Sequence, residues 1–176
     1  MFVLTHCSTP TPTGTGQRSV SPQSSLMRIA LEPANQPEAI RLIEALDAYQ
    51  MPLYPAESHH GIDIAALSQP NVLFAMARDG QSQAIACGAV VLCEGYGELK
   101  RMYVQPSHRG QGLGKAILAF LEAHAASKGC KRFALETGVL QPEALGLYKA
   151  AGYEHCPPFG SYTEDPNSVF MRKNAG

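Results

Sequence analysis

The chain has 176 residues, of which 45 % are hydrophobic, and 14 basic side chains against 15 acidic ones give a formal net charge of −1. This length suits one compact domain. The near-neutral charge argues against a nucleic-acid-binding protein, which carries a basic excess, and no apolar run approaches the roughly 20 residues that span a bilayer.

The first segment of the chain differs in composition from the rest. Residues 1–26 are rich in Ser, Thr and Pro and have few large apolar side chains. Such a segment buries too little apolar surface to fold by itself. We therefore predict a flexible tail over residues 1–26 and a single domain over residues 27–176.

The first half of that domain predicts a strand, two helices and a hairpin. Residues 26–32 alternate in polarity as a strand does, and residues 37–51 have apolar side chains spaced for one helical face. A loop with the sequence YPAESHHG follows, and residues 62–69 predict a short helix. Two apolar runs flank Asp79-Gly80 and predict a β-hairpin. These runs cover residues 71–80 and 83–95.

The second half alternates strands with helices. Residues 97–106 predict a strand that ends at Pro106, and a helix with an apolar face runs from Gly112 to near Lys128-Gly129. The remaining elements are a strand, a short helix and a final strand, at residues 131–137, 141–153 and 165–173. This order predicts an α/β domain with antiparallel strands before a glycine-rich turn.

The glycine-rich turn has the sequence HRGQGLGK and opens the longest predicted helix after it. Glycines at a helix start let backbone N–H groups approach an anion closely. The dinucleotide fingerprint GxGxxG does not match, because the third glycine comes one position early. The Walker A pattern also fails, since Ala116 replaces the hydroxyl residue that binds magnesium. Close packing of helix on sheet is an alternative reason for the glycines.

A third pattern, Arg/Gln-x-x-Gly-x-Gly/Ala, is met by Arg109, Gly112 and Gly114. With this motif the chain resembles the GCN5-related N-acetyltransferases, the GNAT superfamily. The resemblance implies a GNAT fold, in which a mixed central sheet of about six or seven strands is flanked by about four helices. It also implies acetyl-CoA as co-substrate and no metal.

The resemblance implies which residues bind acetyl-CoA. The turn would hold the pyrophosphate through Arg109, Gly110, Gln111, Gly112, Leu113, Gly114 and Lys115. The preceding strand would pair with the pantetheine arm through the backbone of Met102, Tyr103 and Val104. The late segment GLYKAAGY is similar to the superfamily helix whose tyrosine protonates the departing thiolate, which here is Tyr148. Gln141 stands where an Asn often binds pantetheine. An aromatic anchor on a helix is the alternative role for Tyr148.

Two carboxylates are candidate general bases. Glu98 lies where some protein-acetylating members of the superfamily place their base, and Glu136 ends the strand beside the cofactor strand. A histidine-linked water is the third possibility. Direct transfer needs no acyl-enzyme, so we predict that none of the five cysteines is a nucleophile. The cysteines are odd in number and lack CxxC spacing, which predicts neither disulfides nor a zinc site and favours a reducing cytoplasm.

The acceptor side is implied by the YPAESHHG loop and the tail PPFGSYTEDPNSVFM, which resembles that of a subset of small bacterial GNAT proteins. Phe159 and Tyr162 would form an apolar lid over a small acceptor, and Glu57 or His60 would hold its polar end. Tyr54 adds a hydrogen-bonding group, and His59 is a further titratable side chain of the same loop.

Together these features predict a cytoplasmic, acetyl-CoA-dependent N-acetyltransferase that acts on a small-molecule amine or amino-acid-like acceptor. It would bind neither nucleic acid nor membrane and would be a monomer or homodimer. Two alternatives stay open. One is a protein acetyltransferase that modifies lysine or an N-terminus, and the other is a CoA-binding sensor or interaction module without catalysis.

Overall fold

The computed structural model describes residues 27–174, so the predicted tail at residues 1–26 lies outside the described residues. Within these described residues the fold has seven strands and four α-helices. The strands are β1 (Arg28–Leu31), β2 (Val72–Arg78), β3 (Ala84–Cys93), β4 (Tyr96–Val104), β5 (Arg132–Gly138), β6 (Glu154–His155) and β7 (Ser168–Asn174). The helices are α1 (Pro37–Gln50), α2 (Ile64–Leu67), α3 (Leu113–Ser127) and α4 (Pro142–Ala150).

All seven strands form one mixed sheet in the order β1-β2-β3-β4-β5-β7-β6. Every neighbouring pair is antiparallel except β4 and β5, which are parallel. A parallel pair needs a crossover connection, and α3 supplies it. The predicted α/β fold is confirmed. The two-residue strand β6 was not predicted.

The sheet is covered on both faces, as an α/β fold requires. The helix α1 buries its apolar side chains against one face through Leu42, Ile43 and Leu46. The helix α3 covers the other face with Ile117, Leu118 and Leu121. No helix of residues 27–174 is both long and apolar enough to cross a membrane.

The strands β4 and β5 stay together for only part of their length. Three residue pairs join them, and these match residues 97–99 with residues 133–135. Beyond these pairs, β4 continues to Val104 and β5 to Gly138 without pairing to each other. The sheet therefore opens into a cleft at the C-terminal ends of its two parallel strands, where ligands of α/β folds bind.

A β-bulge in β4 lies at the mouth of this cleft. Cys87 pairs with Tyr103 and Ala89 with Lys100, so the two residues between them on β4 face the single residue Gly88 on β3. One of the two, Arg101, has a φ of +55°. Bulges bend a strand and re-aim its side chains. The bulge begins two residues after Leu99, the last residue of β4 that pairs with β5.

Candidate active site

The glycine turn leads from β4 into the N-terminus of α3. Gly110 and Gly112 have φ values of +74° and +78°, in the left-handed region that glycine adopts without steric cost. A Cβ atom on either residue would meet nothing within 4 Å. Close packing therefore does not explain these two glycines. Their role is to turn the backbone so that the N-terminus of α3 faces open space.

Gly114 differs from the other two glycines of the turn. A Cβ there would lie 3.2 Å from Cδ2 of Leu147, on α4. Close packing therefore explains the glycine at position 114, because Gly114 lets α3 and α4 approach each other. Leu113, beside it, is buried in the core.

The first turn of α3 fits an anionic group. Gly112 occupies the N-cap position and no side chain caps the helix, so the N–H groups of the first turn lack intrahelical partners. Free amides and the helix dipole at this end favour a phosphate. Lys115 and Gln111 are exposed beside them. These residues fit the diphosphate of a coenzyme A donor.

Arg109 is positioned by aromatic rings. Its guanidinium carbon lies 5.2 Å from the ring centroid of Tyr49 and 5.9 Å from that of Tyr103, distances typical of cation–π contacts. Its Nε also donates to the carbonyl of Val104 at 3.1 Å. The side chain therefore lies beside the free end of β4, next to the phosphate-binding turn.

A cavity of about 360 Å³ fills the cleft between β4 and β5. Its wall comes from α1, the loop before α2, the two strands and α4. The charged and titratable residues that line it are Asp47, His59, His60, Lys100, Arg101, Glu136 and Tyr148. Among the other lining residues are Tyr54, Met102 and Gln141. The cavity thus joins the predicted donor side to the loop predicted to hold the acceptor.

Glu136 presents a buried carboxylate to this cavity. Burial is the largest influence on it and raises the pKa of Glu136, whereas a hydrogen bond from Ser168 and the nearby His60 and Lys100 act in the opposite direction. The Ser168 hydroxyl donates to Oε1 of Glu136 at 2.7 Å. A carboxyl group with a raised pKa is a stronger base than an exposed one.

Glu98 is engaged with two neighbours. Its Oε1 accepts a hydrogen bond from the Tyr162 hydroxyl at 2.6 Å and forms an ion pair with Lys100 Nζ at 2.9 Å. The Glu98 and Lys100 side chains are 12 % and 11 % exposed. Lys100 also donates to the Tyr162 hydroxyl and to the carbonyl of His60. Glu98 is not among the lining residues of the cavity. Its surroundings are those of a buried ion pair.

Tyr148 lies in the wall of the cavity, 6 % exposed. Burial and, to a lesser extent, the charge of Glu136 raise its pKa. The phenol therefore keeps its proton at neutral pH and can donate it. Its neighbour Tyr153, whose ring centroid is 5.8 Å away, donates instead to Glu122.

Gln141 holds the turn between β5 and α4. Its Oε1 accepts from the backbone N–H of Gly138 at 3.2 Å and from the hydroxyl of Thr137 at 3.4 Å. The side chain is buried and borders the cavity. Its amide oxygen is thus engaged in this turn. The amide nitrogen is the group that remains to donate a hydrogen bond to acetyl-CoA.

The loop that carries His60 is attached to the turn before β7. Asn167 Nδ2 donates to the Ser58 hydroxyl at 3.2 Å, and Asp165 Oδ2 lies 3.6 Å from His60 Nε2. That nitrogen is buried and has no hydrogen-bond partner among residues 27–174. His60 therefore brings an unused polar group to the cavity wall.

The remaining predicted acceptor residues occupy different places. Tyr54 borders the cavity and accepts a hydrogen bond from the backbone N–H of Leu140 at 2.9 Å. Glu57 is exposed and outside the lining. Phe159 and Tyr162 also lie outside it, in a cluster of aromatic rings with Tyr96, His60 and Phe170. Their role as an apolar lid stays a prediction.

Several polar residues of the site were missed in the sequence. They are Asp47, Ser58, Lys100, Arg101, Asp165, Asn167 and Ser168. A signal existed for Lys100, because residues two apart on a strand share a face and Glu98 is one of the candidate bases. The others come together only through the fold. Among residues 27–174 no group of three or more His, Cys, Asp or Glu side chains is arranged to hold a metal ion.

The mixed sheet, the parted parallel strands and the open helix N-terminus define a class of acyl-CoA-dependent transferases. A family model described as the acetyltransferase (GNAT) family matches residues 34–153, more than half of the chain. The chain therefore belongs to the GNAT family and is an acetyl-CoA-dependent N-acetyltransferase.

Individual relatives agree with this assignment. The chain is 42 % identical over 147 residues to an IAA acetyltransferase of Azospirillum brasilense, which covers 82 % of this chain and 95 % of that protein. A crystal structure of a putative acyl-CoA N-acyltransferase from Klebsiella pneumoniae is 40 % identical, with a TM-score of 0.73 and coverage of 85 % and 97 %. PaiA N-acetyltransferase from Thermoplasma acidophilum, solved in complex with coenzyme A, shares the fold at 17 % identity, with a TM-score of 0.64 and coverage of 85 % and 99 %.

Proposed function

We propose that this enzyme transfers the acetyl group directly to the amine of a small-molecule or amino-acid-like acceptor, with Glu136 as general base and Tyr148 as general acid. The observation that carries the proposal is the buried Glu136 carboxylate in a cavity of about 360 Å³. This volume suits a small ligand. Acetyl-CoA supplies the acetyl group as a thioester, whose C–S bond breaks as the new C–N bond forms.

The amine needs a base because it arrives as an ammonium ion. With a pKa of about 10.4, only about one alkylamine in 10³ is neutral at pH 7. Glu136 first pairs with the ammonium group and then takes a proton from nitrogen, either directly or through one water. Tyr148 gives its proton to the thiolate sulfur. The balanced outcome is an amide, free coenzyme A and one proton released to solvent.

Glu98 has a different role in this proposal. Glu98 contacts Lys100 and Tyr162 and so holds the side of β4 that faces the acceptor. Loss of either partner of the ion pair would leave the other charge buried without compensation, which is costly. Lys100 in turn donates to the carbonyl of His60 at 3.1 Å, which connects this pair to the acceptor loop.

The test is an assay of coenzyme A release with acetyl-CoA and three groups of acceptors: free amines, free amino acids and lysine-containing peptides. Turnover of free amines or amino acids above that of peptides supports the proposal. Turnover of peptides alone identifies a protein acetyltransferase. Binding of acetyl-CoA without turnover of any acceptor identifies a sensor.

A further inference from the structure

One carboxylate at the cavity has no cationic partner in the part of the chain that the structure describes. Two cations line the cavity, and each already has an anionic partner. Lys100 pairs with Glu98 at 2.9 Å, and Arg101 pairs with Asp47. The third carboxylate, Glu136, takes part in none of the ion pairs that form among residues 27–174. Among the carboxylates, lysines and arginines at the cavity, Glu136 is thus the group left without a partner of opposite charge within residues 27–174.

Hydrogen bonds also hold both cations in place. The Lys100 ammonium group lies 2.9 Å from Oε1 of Glu98 and donates to the Tyr162 hydroxyl and to the carbonyl of His60. Arg101 donates from Nε to the carbonyl of Ile62 at 2.8 Å, and its Nη2 donates to the same oxygen. A Cβ on Gly61 would lie 2.7 Å from the Arg101 guanidinium, so the loop closes tightly over this side chain. Each cation is therefore already paired with a carboxylate of the protein, and a carboxylate of the acceptor would have to compete with Glu98 or Asp47 for it.

We infer that the acceptor is a small amine that has no carboxylate near its nitrogen, a class that excludes free α-amino acids. This inference rests on the proposed function and narrows it. An ammonium group gains an attractive partner in Glu136, which within residues 27–174 accepts a side-chain hydrogen bond only from the neutral Ser168 hydroxyl. An α-carboxylate on the acceptor would lie near Glu136 without an unpaired cation to offset the repulsion. Repulsion between like charges in a desolvated site disfavours such an acceptor strongly.

The uncharged part of the wall suits an apolar substituent on that amine. Leu46, Met51 and Leu99 line the cavity together with Tyr54. The Tyr54 ring lies directly over Gly138, where a Cβ would overlap its hydroxyl oxygen. An alkyl or aryl group on the acceptor would thus meet carbon atoms, while its nitrogen points to Glu136.

The experiment compares acceptors that differ only in the carboxylate: phenethylamine with phenylalanine, pentylamine with norleucine, and ethanolamine with serine. We expect kcat/KM to be roughly tenfold or more higher for the amine in each pair that is turned over. An equal or higher value for the amino acids overturns this inference and leaves the proposed function standing. Absence of turnover for all six acceptors overturns both this inference and the proposed function, whether or not a lysine peptide is acetylated.

A variant tests the charge argument directly. Asp47→Asn removes the partner of Arg101 and leaves an uncompensated guanidinium in the cavity wall. Since Arg101 is only 8 % exposed, the change also lowers stability, so the rates are compared below the melting temperature of the variant, after a thermal melt shows that it is folded. We expect the preference for phenethylamine over phenylalanine to fall severalfold, because the acid now finds a cation. Glu32→Gln removes the partner of Arg78 in an ion pair remote from the cavity and should leave the preference unchanged. An unchanged preference in Asp47→Asn contradicts the inference.

Discussion

The hydroxyl of Ser168 on β7 donates a 2.7 Å hydrogen bond to Oε1 of Glu136 on the neighbouring strand β5. This bond stabilises the charged carboxylate and opposes the effect of burial on its pKa. Ser168 therefore shifts the pH range in which Glu136, the proposed base, is ionised.

The first prediction concerns the effect of Ser168 on the pKa of Glu136. Burial raises the pKa of Glu136, so the base form disappears as the pH falls through that raised value. Ser168→Ala removes a hydrogen bond that lowers the pKa, and the acidic limb of the kcat/KM profile should move to higher pH. The positions of His60, Lys100 and Asp165, which also act on Glu136, are unchanged. Ser168→Thr keeps the hydroxyl and should retain the original profile. A limb that stays in place in Ser168→Ala would exclude Glu136 as the titrating base.

The second prediction separates the two candidate bases. Glu136→Gln should lower kcat by about 10²–10⁴-fold, the usual contribution of a general base, with little change in thermal stability. Glu98→Gln leaves the Lys100 charge without a partner and should lower the free energy of unfolding by about 3 kcal/mol. Its folded fraction should keep most of the turnover. Thermal melts and initial rates of both variants measure this, and the opposite pattern would make Glu98 the base.

The third prediction concerns the proton donor. Tyr148→Phe removes only a hydroxyl group, and we expect kcat to fall by about 10–10²-fold because the thiolate, with a pKa near 8.5, can leave without an acid but leaves more slowly. Tyr153→Phe is the matched control, since that hydroxyl is bound to Glu122. It should cost about 1 kcal/mol of stability and leave kcat unchanged. Equal rates for Tyr148→Phe and the native enzyme would return Tyr148 to the role of an aromatic anchor.

The fourth prediction uses the two ends of α3. Gly112 at its start and Gly129 just after its end both have positive φ, and a Cβ on either meets nothing within 4 Å. An alanine should therefore cost each site a similar 1–2 kcal/mol, about the penalty of the left-handed conformation. Only Gly112→Ala should weaken coenzyme A binding, by tenfold or more, because it disturbs the free amides of the first turn. Calorimetric titration with coenzyme A measures the difference, and equal affinities would place the phosphate site elsewhere.

The glycine turn could be predicted because its requirement is local. The glycines predict a close approach of the backbone and a helix from Gly112, and glycine permits the positive φ that Gly110 and Gly112 adopt before α3. The predicted order of strands and helices is confirmed for the same reason, since polarity periods and turn residues are local signals. The strand β6 has two residues, Glu154 and His155, too few for any period to be recognised.

The chemistry of the cavity depends on contacts between distant parts of the chain. Tyr162 is 64 residues from its partner Glu98, and Ser168 is 32 residues from Glu136. The spacing of Glu98 and Lys100 is a local signal for their ion pair, but nothing local to Glu98 reveals that Tyr162 donates to the same oxygen, Oε1, so both carboxylates were candidates in the sequence. The proposed preference for Glu136 comes from comparing the partners of each group.

The short junction of β4 with β5 has a consequence for distant substitutions. Gly97 pairs with Phe133 at its start, and a Cβ on Gly97 would lie 2.9 Å from Val90, 3.1 Å from Cys130 and 3.3 Å from Phe133. A larger residue here would force the two strands to a new angle. Because one side of the opening carries the proposed base and the other the edge predicted to pair with pantetheine, a single change of angle would alter the affinities for both substrates together. A substitution at Gly97 would therefore change the KM for acetyl-CoA and the KM for the acceptor together, although Gly97 borders neither proposed binding site.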